Sequence, residues 1–372
     1  MNAPASVLVI RWLIWDTFRQ SLASSIFWVM LGVSVVSIAF CLGTSMRDVP
    51  FQPADETPER IPVGEARKKD PFELSKSGVD VIQGELNFLF GAVHVPYLKY
   101  REDAVRWIQL LLASYIADTL GLLLALIWTA GFLPTFLESS SVTVLLAKPV
   151  PRWSLLVGKV IGVLVFVTFQ ATVFVGGTWL ALAIRTGVWN PTYLWCVPML
   201  VLHFAIFFSF SCMLAVWTRS AIVAVFGSLL FWAICWGMNY GRHASLATPL
   251  AQAESRIAAR ATTLVGLGAA IDLPAAVTAT PLALADDVPG GRVARTASNA
   301  LEVGYWVLPK PADVGIVLGK LLGADSHVAQ LPEFVAVEKA GQLHLEWSVL
   351  ASCLFALVML AIAGHEFVQA DY

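Results

Sequence analysis

Six long apolar runs, separated by short turns or by strongly polar segments, restrict what this chain can fold into. About 20 apolar residues of helix are needed to cross a bilayer's hydrocarbon core. Lipid offers no partner to a free amide or carbonyl, so each run must be helical. The expected fold class is an all-α integral membrane protein with six transmembrane helices, at residues 22–43, 106–133, 154–185, 193–218, 220–240 and 347–365. Composition agrees: 58% of residues are hydrophobic and only 13% charged, against about a quarter charged in soluble domains. A formal net charge of -2 and the lack of a basic block argue against nucleic acid as a partner. A cleaved signal peptide is a poor description of the first run, because such cores are usually about 7 to 15 residues and no small-x-small cleavage site follows.

Orientation follows from Lys and Arg in the short connections. With the N-terminus inside, Arg11, Arg19, Lys148, Arg152, Lys159 and Arg219 collect on the inner side, and the short outer turn carries only Arg185. Both termini, 1–21 and 366–372, are then expected in the cytoplasm of a cell-membrane protein. Residues 1–21, with Trp12 and Trp15 at interface positions, are expected to form a helix in the membrane plane. Two sizeable segments, 44–105 and 241–346, are expected on the extracytoplasmic side. In the first, Val79 to Val93 suits a small helix or strand pair. In the second, Pro249 to Ile271 suits a helix, and Thr262 to Leu284 is apolar enough to dip into the interface. Val314, Val317, Leu318 and Leu321 share one face of a helix expected to lie on the outer membrane surface. Leu343 and Leu345 alternate with polar residues, as a hairpin strand would.

Catalytic signatures are missing. Around Gly158-Lys159, Trp153 stands where a phosphate loop needs its first glycine and Val160 where it needs a hydroxyl, and Gly319-Lys320 fails likewise. HExxH, GxSxG and CxxC spacings do not occur, and the five cysteines give neither a disulfide framework nor a zinc site. Polar groups inside spans are the remaining candidates, because burying them in lipid is costly. Asp118 in the second span is the sharpest, beside Ser114 and Thr119, followed by Gln170 in the third and His203 in the fourth. Two roles are open to them: hydrogen bonding across helices as packing contacts, or a place along a substrate or proton route.

The stretch from residue 134 to 153 combines caps, charge and helical periodicity between two spans. Ser139, Ser140 and Ser141 suit an N-cap. Val142, Leu145 and Leu146 then repeat at i, i+3 and i+4, forming one apolar ridge. Lys148 complements the helix dipole, and Pro149 ends the ladder. Such an element suits a groove on another protein. Glu138, Leu145, Leu146, Lys148, Pro149, Arg152, Trp153, Gly158 and Lys159 make the stretch resemble the cytoplasmic coupling segment of the ABC-2 type permeases, the membrane subunits of ABC exporters. Ser140 and Ser141 depart from the usual Gly and Thr, and Thr143 from a common acid. The resemblance implies a translocation subunit that is not itself an enzyme and binds no cofactor, with ATP and magnesium held by a separate ATP-binding subunit. That partner would contact Glu138, Val142, Leu145, Leu146, Lys148, Pro149 and Arg152. It also implies a permease dimer, as a homodimer or with a related permease, in contact with membrane lipid, with room for a partner on the extracytoplasmic side. The residues alone leave a second reading open: a membrane-anchored structural or signalling subunit that binds a partner through its outer segments without transport.

Overall fold

The computed structural model describes residues 5–48, 84–88, 91, 93–97, 101–131, 152–266, 301–323, 338 and 343–369. Helix α1 (Ala5–Ala23) passes through Ser24 into α2 (Ser25–Leu42), which leads into a three-stranded antiparallel sheet of β1 (Ser45–Asp48), β2 (Gly84–Phe88) and β3 (Val93–Tyr97). The register sets Ser45 opposite Asn87 and Gly84 opposite Tyr97. Pro96, which has no amide to donate, lies on an edge strand, where that loss is tolerated. Next, α3 (Arg101–Leu111) runs through π turns over Leu112–Gly121 into α4 (Leu122–Ala130). Then come α5 (Arg152–Thr186), a 3₁₀ turn at Pro191–Trp195, α6 (Cys196–Thr218) and α7 (Ala221–Gly266). Helical residues 301–307, α8 (Pro311–Leu321) and α9 (Leu345–Gln369) complete the described chain.

Among the described residues six helices are long and apolar enough to cross a membrane: Ser25–Leu42, Ala104–Ala130, Trp153–Thr186, Pro191–Thr218, Ala221–Leu246 and Leu345–Gln369. The all-α membrane architecture expected from the apolar runs is therefore observed. Exposed tryptophans mark both ends of the bundle, with Trp12, Trp15, Trp153 and Trp217 at one end and Trp107, Trp189, Trp195 and Trp347 at the other. Amphipathic rings prefer the level of the lipid headgroups.

At the centre lies α5, which packs against α1, α2, α6 and α9. Its 35 residues, at 1.5 Å rise each, span about 52 Å, well beyond the hydrocarbon thickness. The surplus at its N-terminal end is flanked by α1. A Cβ on Gly158 would meet Leu13 at 2.6 Å, and one on Gly162 would meet the Thr17 hydroxyl at 2.8 Å. Small residues allow this approach, the device by which helices associate in lipid, where the hydrophobic effect between them is spent. Phe18 continues the contact, edge-on to Phe166 at 5.4 Å and Phe169 at 5.6 Å. Lys159, buried in the seam, donates to Gln20 Oε1 at 2.8 Å and lies 3.7 Å from Asp16. Farther along, Phe27 meets Phe166, Gly177 faces Ile38, and Arg185 Nε donates to Thr44 O. Both α1 and α2 thus run in the same direction as α5, and α1 lies along the start of that helix.

Three expectations need correction. Helix α1 does not lie in the membrane plane, because it runs alongside and parallel to the spanning α5, with Gly158 and Gly162 allowing the close approach. Leu345 opens a helix, not a hairpin strand, because the apolar run continues from it and Glu346 suits the positive end of the helix dipole. The ridge on α8 does not lie against the membrane surface: Val314 and Leu318 are buried, and the helix packs on α6, α7 and α9. The Pro249 stretch is helical as expected, as far as Gly266, and it is the continuation of α7 past the Ala221–Leu246 span. The part of the Thr262 to Leu284 stretch beyond Gly266 lies outside the described residues.

Candidate functional site

The three polar residues picked out within spans come together. Asp118 sits in the π stretch, where Thr119 Oγ1 donates to Ser114 O at 2.9 Å, five residues back instead of the four of an α-helix. A π turn holds one extra residue, which shifts the flanking faces by about 100° relative to an uninterrupted α-helix. In this arrangement Asp118 Oδ1 lies 2.5 Å from His203 Nδ1 of α6. Asp118 is 8% exposed and His203 2%, so the pair is almost wholly desolvated. His203 Nε2 is buried without a hydrogen-bond partner. Gln170 of α5 donates through Nε2 to Ser34 Oγ of α2 at 3.0 Å, and Ser34 in turn donates to Met30 O at 3.1 Å. These bonds tie α2 to α5 and the π stretch to α6, so the packing role expected for such groups is fulfilled.

Asp118, Gln170 and Ser34 also share a cavity of about 60 Å³ between α2, the π stretch, α5 and α6. Its remaining wall is apolar, including Met30, Val33, Phe174 and Phe204. Among the described residues no hydrogen bond reaches Asp118 Oδ2, and Gln170 Oε1 is buried and unpaired. Of the residues assigned to ATPase coupling, Glu138, Val142, Leu145, Leu146, Lys148 and Pro149 lie outside the described residues. Arg152 is the first residue of α5.

A second polar cluster, which sequence reasoning did not single out, joins α7, residues 301–307, α8 and α9. Asp313, 0% exposed, accepts from Tyr305 Oη at 2.6 Å and Ser348 Oγ at 2.5 Å, and its other oxygen lies 2.8 Å from His243 Nε2. Arg242 makes a forked contact with Glu302 at 2.8 and 3.2 Å and stacks over the Tyr305 ring, its guanidinium carbon 3.9 Å from the centroid. Lys310, 1% exposed, points its ammonium at the same ring from 4.8 Å. Burial works to raise the Asp313 carboxyl, yet His243, Ser348 and Tyr305 outweigh it and hold the group below the usual carboxylate range. Glu302 is held low mainly by its bond to Arg242. Burial pushes Tyr305 up, and it pulls Lys310 down to about 8. Separations of 60, 70 and 35 residues divide these partners. In the sequence each one looks like an isolated loop charge, and the only local signal is the pair Arg242-His243 at the end of an apolar run.

Six candidate spans around a desolvated polar centre define a multi-pass helical membrane protein. Residues 11–282, well over half of the 372, match the model of the ABC-2 family transporter proteins, and the chain belongs to that family. None of the curated proteins matches it significantly.

Proposed function

We propose that the chain, by its family a permease component of an ABC transport system, forms the export path of an ATP-driven exporter, works as a dimer of permease subunits, and is driven by a separate ATP-binding subunit. This subunit docks in the cytoplasm on the Val142, Leu145 and Leu146 ridge. Glu138, Lys148, Pro149 and Arg152 frame the contact, and ATP and magnesium stay on the partner. Membership of the family over a stretch that brackets this segment is the observation that carries the reading.

The geometry of α5 supplies the means of transmission. The proposed docking segment ends where α5 begins. Braced by α1 through Gly158, Gly162 and Lys159, the first turns of α5 behave as one lever whose far part carries Gln170. Closure of the ATPases would push the docking helix, tilt the α1–α5 unit and change the packing around the Asp118 cavity. Alternating access between protomers follows, with Asp118, Gln170 and His203 at the part that rearranges. The test is co-purification from detergent followed by mass spectrometry. A Walker-motif ATPase should accompany the native chain and be lost from the Leu145→Asp, Leu146→Asp double variant. Its failure to accompany either would overturn the docking.

A further inference from the structure

Unspent hydrogen-bonding capacity in the cavity between α2, the π stretch, α5 and α6 is of one kind. The donors there are used: Gln170 Nε2 on Ser34, the Ser34 hydroxyl on Met30 O, and the Thr119 hydroxyl on Ser114 O. Two oxygens are left, Asp118 Oδ2, on which no hydrogen bond falls among the described residues, and Gln170 Oε1, buried and unpaired. One of them belongs to a carboxylate, and both residues are more than nine-tenths buried. A desolvated polar atom without a partner is costly, and more so when charged. A neutral ligand that only accepts would make this worse. A cation satisfies both oxygens and offsets the charge at once.

We infer that this cavity binds a small monovalent cation, held by Asp118 Oδ2 and Gln170 Oε1, with His203 fixing the carboxylate from behind. The size of the site agrees: a cavity of about 60 Å³ has room for a small ion with several waters but is too small for a drug-sized molecule. So does its wall, which apart from Ser34 and these two residues is apolar or small and offers an anion nothing. His203 Nδ1 occupies Oδ1 and so leaves Oδ2 to the ligand. Na⁺, K⁺, NH₄⁺ and a proton share this chemistry. The inference does not depend on ATPase docking, and it is tested on the chain alone.

The experiment is thermal unfolding of the purified chain in detergent, followed by tryptophan fluorescence. Na⁺, K⁺ or NH₄⁺ chloride is compared with choline chloride at fixed ionic strength and pH, and choline at a series of pH values forms the fourth arm. A ligand that binds only the folded state stabilises it by about 2.7 kcal/mol at a hundred times its dissociation constant, so a rise of several degrees is expected with at least one cation. Asp118→Asn, nearly isosteric, should abolish the rise, and Gln170→Ala should move it to at least tenfold higher ion concentration. A rise produced only by lowering the pH, and lost in Asp118→Asn, would identify the occupant as a proton. The titratable neighbours in that arm are His203 and Cys196 on α6, Cys41 on α2, Tyr193 in the 3₁₀ turn, Tyr115 on the same π stretch, and Asp313 and Lys320 on α8. On α5 the titratable groups are Arg152 and Lys159 towards one end and Arg185 towards the other. The Asp118→Asn comparison isolates the site from all of these. Indifference of the native chain to all four arms, or an equal rise in Asp118→Asn, overturns the inference.

Discussion

At the scale of single residues, the second polar cluster shows how a charge survives burial. Lys310 is almost fully enclosed, and its ammonium faces the rings of Tyr305 and Trp306 and the carbonyl of Leu308, which is 3.5 Å away. Burial, with repulsion from Arg242, lowers it to about 8 against an attraction to Asp313, whereas the unfolded group titrates near 10.5. Below pH 8 the lysine is charged in both states, and the folded state bears the full penalty of the buried charge. Between pH 8 and 10.5 the unfolded chain holds more protons than the folded one, so stability rises with pH, at up to about 1.4 kcal/mol per unit. Unfolding midpoints measured across this window should climb in the native chain and flatten in Lys310→Met. Equal slopes in the two proteins would contradict the burial of this charge. Asp313 has a dependence of the same sign in a lower window: its depressed carboxyl stabilises the fold above the ordinary carboxylate range, and that contribution is lost as the pH falls through its lowered value.

At the scale of elements, the α1–α5 seam carries the mechanical argument. Gly162 leaves no room for a side chain, since its Cβ would sit 2.8 Å from Thr17 Oγ1 and 3.1 Å from Thr17 Cβ. Gly162→Leu should overpack the seam by about 1–3 kcal/mol, lift α1 and speed amide exchange over Ala5–Ala23 by roughly tenfold or more, with the spans unaffected. Unchanged exchange in α1 would mean that the helix is held by other contacts. The spans themselves were legible because a crossing helix leaves a long apolar run, the strongest signal in any sequence. The bracing of α5 was not, because Gly158 and Gly162 look like ordinary span glycines until Leu13 and Thr17 are seen against them. The continuation of α7 through Pro249 was hidden for a related reason: proline removes one bond from a helix, and local sequence does not say whether the helix ends there. Likewise nothing local announces the i→i+5 bonding around Asp118. Asp118, Gln170 and His203 were found one at a time, by the cost of placing each in lipid, but their convergence needed the folded bundle.

At the scale of the whole molecule, the described spans form one bundle in which α5 meets α1 at one end, the cation-accepting cavity in the middle and the β1–β3 sheet at the other. The α7–α8–α9 cluster ties Asp313 to His243 and Ser348 and so anchors the segment between the fifth and sixth spans to both of them. Two anchored regions with a desolvated polar pocket between them suit a machine that converts a push at one end into a change of packing in its middle. Whether that push comes from ATP decides the mechanism. The deciding measurement is the hydrolysis rate of the partner ATPase in lipid vesicles, alone, with the native chain, and with the Leu145→Asp, Leu146→Asp variant. A rate raised several-fold by the native chain and returned to its basal value by the variant is the predicted result. A rate indifferent to the chain would contradict it.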